Sequence, residues 1–135
     1  MTLSRSKAYL IGCLMWVWFL PAAQALSLGE INITSALNDP LDAEIMVSST
    51  DAGEILNARI QLASQSVHDK AGLSINQHLR NMRFKTIAKE NGQFAIKVTT
   101  ARPVSEPVLE FIIEVTGSNS NLIRGYALHL DPPNL

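Results

Sequence analysis

Three histidines, His68, His78 and His129, are the side chains best suited to hold a metal or move a proton near neutral pH. They form neither H-E-x-x-H nor an i, i+4 pair, so no helix face would present two imidazoles to one cation. His129 alternates with Leu128 and Leu130 and is expected to point to solvent from a strand. His68 and His78 fall in a polar region of helix and loop, and both are expected to be solvated. The carboxylates Asp42 with Glu44, and Glu110 with Glu114, pair at even spacing. On exposed strand faces they would lack the burial that raises a carboxyl pKa for general acid work, so they read as solubilising charges. No G-x-S-x-G elbow, phosphate loop or G-x-G cluster occurs. No catalytic, cofactor-binding or metal-ligating residue is therefore expected, and no cofactor; the expected class is a non-enzyme.

The first 25 residues carry no chemistry and read as a targeting segment. Arg5 and Lys7 precede an apolar run at 8–20, closed by Pro21. A membrane-spanning helix needs about 20 apolar residues, and Ala23-Gln24-Ala25 offers small-x-small cleavage chemistry, with the cut expected after Ala25. An uncleaved anchor is the alternative. Leu10-Ile11-Gly12-Cys13 matches a lipobox, but the greasy residues at 14–20 follow the cysteine where a lipoprotein's mature start is polar. The expected layout is a signal peptide at 1–25, one domain at 26–133 and a tail at 134–135. Cutting removes Arg5, Lys7 and the only cysteine, taking the formal net charge from −1 to −3. The product must then hold itself together by core burial, as an exported soluble domain without disulfides. A near-neutral chain with 47% hydrophobic residues has neither the basic field that holds nucleic acid nor the signature of disorder.

After residue 25, period-two alternation recurs between turn signals and predicts an all-β fold. Ile31 and Ile33 belong to a first strand, Leu41, Ala43, Ile45 and Val47 to a second, with Asn38-Asp39-Pro40 turning between them. A polar turn is expected at 48–53, then a strand on Leu56, Ala58, Ile60 and Leu62. Met82 and Phe84 lead to Asn91-Gly92 and then to Phe94, Ile96 and Val98. A strict two-residue loop there would set Ile87 opposite Ile96 but Phe84 opposite Thr99, so a bulge near Thr86 or a longer loop is expected. Pro103 and Pro107 bracket a break. The doubly apolar stretch at 108–115 reads as a central strand, and the last strand turns Tyr126, Leu128 and Leu130 inward. Only 64–73 departs, as a short helix with Ser66 as N-cap, Asp69 in the first turn and Gly72 as C-cap; a second turn is expected at 76–81. About seven strands with one or two short helices predict an immunoglobulin-like β-sandwich, with a barrel as the alternative.

Three segments stand out together: Leu28-Gly29-Glu30-Ile31 through Pro40-Leu41-Asp42-Ala43-Glu44-Ile45, Arg102-Pro103-Val104-Ser105-Glu106-Pro107, and Leu122-Ile123-Arg124-Gly125-Tyr126 to Leu130-Asp131-Pro132-Pro133. In order and spacing they resemble the N-terminal periplasmic domain of the FimV/HubP family, bacterial polar-landmark and type IV pilus assembly proteins. The family's aromatic and Pro-Gly loop is Thr116-Gly117-Ser118-Asn119 here, and its Arg-Glu-Tyr is Arg124-Gly125-Tyr126. The resemblance implies a periplasmic, non-enzymatic interaction module for pilus or secretin assembly, motility or cell-pole organisation, with envelope proteins as partners. The alternative is a peptidoglycan or carbohydrate binder. This chain lacks the family's LysM module, membrane helix and acidic tail, which implies a free or truncated form of the first domain. Arg102, Glu106, Arg124 and Tyr126 are the candidate structural or partner-contact residues.

Overall fold

Alternation at 41–47 forms a strand with one buried face. Leu41, Ala43, Ile45 and Val47 point into the core, and Asp42, Glu44 and Met46 stay partly accessible. The computed structural model describes residues 26–49, 51–118 and 121–133; the leader and cut expected at 1–25, Cys13, Asn119 and the tail expected at 134–135 lie outside the described residues. Within these, the strands are β1 (Ser27–Ile33), β2 (Pro40–Ser48), β3 (Arg59–Leu62), β4 (Met82–Ala88), β5 (Phe94–Pro103), β6 (Val108–Thr116) and β7 (Asn121–His129). They form two antiparallel sheets, ordered β1-β2-β5-β4 and β3-β6-β7. That is the arrangement of a constant-type immunoglobulin sandwich.

Both sheets supply the core. Leu41, Ile45, Ile96 and Val98 of one sheet and Leu109, Phe111, Ile113 and Leu128 of the other are essentially inaccessible. Each large apolar side chain contributes about 1.5–3 kcal/mol on full burial, so a cysteine-free domain can be held by its core alone. Strand β6 is central, between β3 and β7, and Ile112 on its outer face is also buried. That explains why its sequence is apolar on both faces.

The β4–β5 hairpin resolves the conflict between its core faces through a longer loop. Phe84 pairs with Val98 and Ala88 with Phe94 in unbroken register, so there is no bulge at Thr86. Lys89 donates to the Gln93 carbonyl at 2.7 Å, closing a turn in which Asn91 and Gly92 both take positive φ. The dipeptide marks the turn correctly, within a longer loop than the two-residue kind.

Three short α-helices occur among the described residues, where one or two were expected: α1 (Ala52–Leu56), α2 (Gln65–Lys70) and α3 (Gln77–Arg80). Helix α1 replaces part of the polar turn and the start of the expected strand at Leu56. The Asp51 side chain accepts from Gly53 N–H at 2.9 Å, and the helical turn buries Ile55 while leaving Leu56 exposed. Strand β3 therefore begins only at Arg59. In α2 the cap is Ser64, whose hydroxyl accepts from Val67 N–H, and not Ser66. Asp69 consequently lies beyond the first turn, where its carboxylate accepts from the Gln65 amide at 2.9 Å. Gly72 follows the helix with φ of 75°, the left-handed geometry that ends it.

Candidate functional site

The sandwich has two lateral seams, and they differ. At one, β7 lies beside β1. Arg124 and Tyr126 share the inward phase of β7, and both reach across to backbone of β1. The Arg124 guanidinium donates to the Leu28 carbonyl, and the Tyr126 hydroxyl donates to the Gly29 carbonyl at 2.8 Å. The guanidinium also stands 5.0 Å from the centre of the Tyr126 ring, a cation–π contact. Strand β1 breaks register between Leu28 and Ile31 at this point. Gly29 lets β1 and β2 approach closely here, since a Cβ would lie 3.3 Å from the Met46 carbonyl oxygen of β2. Burial pushes the Tyr126 phenol above its ordinary pKa, and the neighbouring Arg124 cation pulls against that rise.

Arg102 and Glu106 lie elsewhere, Arg102 at the end of β5 and Glu106 in the connection that follows to β6. Both are exposed. The Glu106 carboxylate accepts from the Asn76 amide at 3.1 Å, while the Asn76 side-chain oxygen caps α3 through Leu79 N–H at 3.0 Å. Arg102 takes part through its backbone: its carbonyl accepts from the buried Thr100 hydroxyl, which itself accepts from Leu41 N–H, both at 2.8 Å. Nearby, Asn38 donates to Val104 (2.8 Å), Val104 to Asp39 (3.0 Å) and Leu37 to Asp131 (2.7 Å), all to backbone carbonyls. The four candidate residues thus do not converge. Arg124 and Tyr126 meet at one seam, while Arg102 ends β5 of the other sheet and Glu106 lies in the connection after it.

His68 departs from expectation most sharply. It is fully buried, not solvated, and its Nε2 lies 3.0 Å from the Ile112 amide nitrogen. Because that N–H must donate, Nε2 is the acceptor and Nδ1 carries the proton, which it donates to the Ser64 carbonyl at 3.1 Å. The Ala63 N–H donates to the Ile112 carbonyl at 2.8 Å, so His68 takes over β6 where β3 leaves the sheet. His78 is half-buried and His129 exposed. Among the described residues no group of three or more His, Cys, Asp or Glu could hold a metal ion. Asp42 and Glu44 are partly buried and ion-paired: Lys97 Nζ lies 3.2 Å from Asp42, and Lys89 Nζ 2.6 Å from Glu44.

The second seam, between β3 and β4, holds a groove of about 440 Å³ lined by Ile60, Leu62, Leu79, Met82 and Phe84, with Arg80 and Arg83 at its rim. Backbone polarity adds to it. Lys89 bonding to Gln93 sets the hydrogen-bonded register of β4 with β5, so by alternation Met82, Phe84 and Thr86 turn their N–H and C=O groups away from β5. Likewise the Ala63 bond leaves those of Ile60 and Leu62 turned away from β6. Sequence alternation marks these residues as core, but only the topology shows that they line two facing edges.

A family profile described as FimV N-terminal domain Ig-like domain matches residues 26–133. The chain belongs to the FimV N-terminal domain family. Two relatives, each named motility hub protein FimV, come from Pseudomonas aeruginosa strains PAO1 and UCBPP-PA14. Each is 42% identical over 114 residues, covering 82% of this chain but only 12% of the relative. No solved structure matches the chain significantly. The three FimV-like segments read from the sequence are the ones that the cross-ties join: Leu28 and Gly29 with Arg124 and Tyr126, Asn38 and Asp39 with Val104, and Leu37 with Asp131. The FimV signature in this chain is therefore largely the set of residues that fixes how the strands meet.

Proposed function

We propose that this chain is an exported, non-enzymatic interaction module of the periplasm that serves bacterial motility through protein contacts, in pilus or secretin assembly or in organising the cell pole. In this reading residues 1–25 are a leader cut after Ala25, 26–133 are the working domain and 134–135 a tail. The observation that carries the reading is the 42% identity with proteins named motility hub protein FimV. Among the described residues no helix is long and apolar enough to cross a membrane. Arg124, Tyr126 and Glu106 act by holding the sandwich in shape, and Arg102 offers its exposed guanidinium to a partner. A glycan reading would need exposed rings to stack on sugars, but Phe111 and Tyr126 are buried and Phe84 and Phe94 half-buried.

Deletion of the gene followed by complementation tests this. Loss of surface motility, restored by the full chain and not by a form lacking residues 1–25, is the expected result. Normal motility in the deletion, or rescue by the leaderless form, would contradict it.

A further inference from the structure

The geometry points to the β3–β4 seam as a docking groove for an extended partner strand that alternates acidic and apolar residues. This rests on reading the chain as an interaction module and specifies where and what it binds. The two seams are unequal: Arg124 and Tyr126 tie β7 to β1, while no hydrogen bond is found between β3 and β4 among the described residues. Backbone groups of Met82, Phe84 and Thr86, which have no partner strand among the described residues, form a ladder that a strand could extend, adding itself beside β4.

Charge decides which strand fits. The outward side chains of β4 include Arg83 and Lys85, and Lys85 stands directly opposite Lys97, a like-charge pair that costs stability. Lys97 is neutralised by Asp42, but Lys85, Arg83 and Arg80 have no ion pair among the described residues. Cations on an edge ordinarily keep edges apart. Here they flank a groove lined by Ile60, Leu62, Leu79 and Phe84. A strand added to β4 would turn alternate side chains into that groove and the others outward beside Arg83 and Lys85. Apolar residues suit the first set and carboxylates the second. A comparable hollow at the β4–β5 turn, lined by Met46 and Ile87, is less suited, because its Lys89 is already paired with Glu44.

The test is an amide-shift titration of the protein, purified as cells deliver it, with a blocked peptide of alternating valine and glutamate. Shifts centred on Met82, Phe84, Thr86, Ile60 and Leu62 are expected. The Arg83→Glu/Lys85→Glu double variant should bind about tenfold more weakly, the size expected when two exposed ion pairs are reversed. Lys70→Glu, at an exposed residue outside the groove lining, should bind as the parent does, and the valine–lysine peptide should not bind. The proposal is overturned by shifts centred on Ile123, Gly125 and Ala127 of β7, by equal binding of both peptides, or by no shift at millimolar peptide. It is also overturned if broadening at these residues without peptide follows protein concentration, which would make the occupant a second copy. If the folded double variant restores motility to the deletion strain, the groove is refuted and the motility reading stands. If deletion leaves motility normal, that reading fails whatever the groove binds.

Discussion

Tyr126 shows how one side chain can join sheets, tune its own ionisation and carry a family signature. Its hydroxyl donates to Gly29 and its ring lies under Arg124. Burial raises its pKa, and the sign of the stability effect follows. Below about pH 10, the ordinary phenol value, the group is protonated in both folded and unfolded chains, and its contribution is complete. As pH climbs through the raised folded value the unfolded chain ionises first, and that contribution is lost. Tyr126→Phe should therefore cost about 1 kcal/mol at neutral pH, the net worth of one hydrogen bond. It should also flatten the fall in stability above pH 10 relative to the parent. Urea unfolding at a series of pH values measures both; a parallel fall in the two proteins would contradict the assignment.

At the scale of elements, the β3–β6 ladder ends on an imidazole. His68→Phe would leave the Ile112 N–H buried without an acceptor, which costs about 1–3 kcal/mol, and His68→Gln, which keeps an acceptor, should lose less. Urea midpoints of the three proteins check this, and equal loss in both variants would count against the bond. Strands with strict alternation, such as β2 and β7, were legible because the period states which face is buried. So was the helix end at Gly72. The start of β3 was not: Leu56, Ala58, Ile60 and Leu62 alternate perfectly, yet Asp51 caps a helical turn that buries Ile55 instead. The burial of His68 was not legible for a related reason. It falls in a polar stretch that reads as a short solvated helix and loop, and the amide it accepts from lies 44 residues further along. The stitched seam was half legible, since Arg124 and Tyr126 were singled out by resemblance, but their partners on β1 are backbone atoms that no side-chain pattern reports. The open groove was not legible at all, because it exists only where two non-consecutive edge strands face each other.

For the whole molecule, composition and periodicity were enough for the architecture, because a cysteine-free sandwich has only its alternating faces to fold with. Function is different. The core explains why the domain stands, the family places it among FimV N-terminal domains, and what remains for work is surface: exposed cations, an open seam and exposed strand-end residues such as Arg102. Such a surface has meaning only in the compartment that holds its partner. The most direct test is to fractionate cells expressing the chain and measure the intact mass of the product in each fraction. The account predicts a periplasmic protein beginning at Leu26; a cytosolic protein that retains residues 1–25 would contradict it.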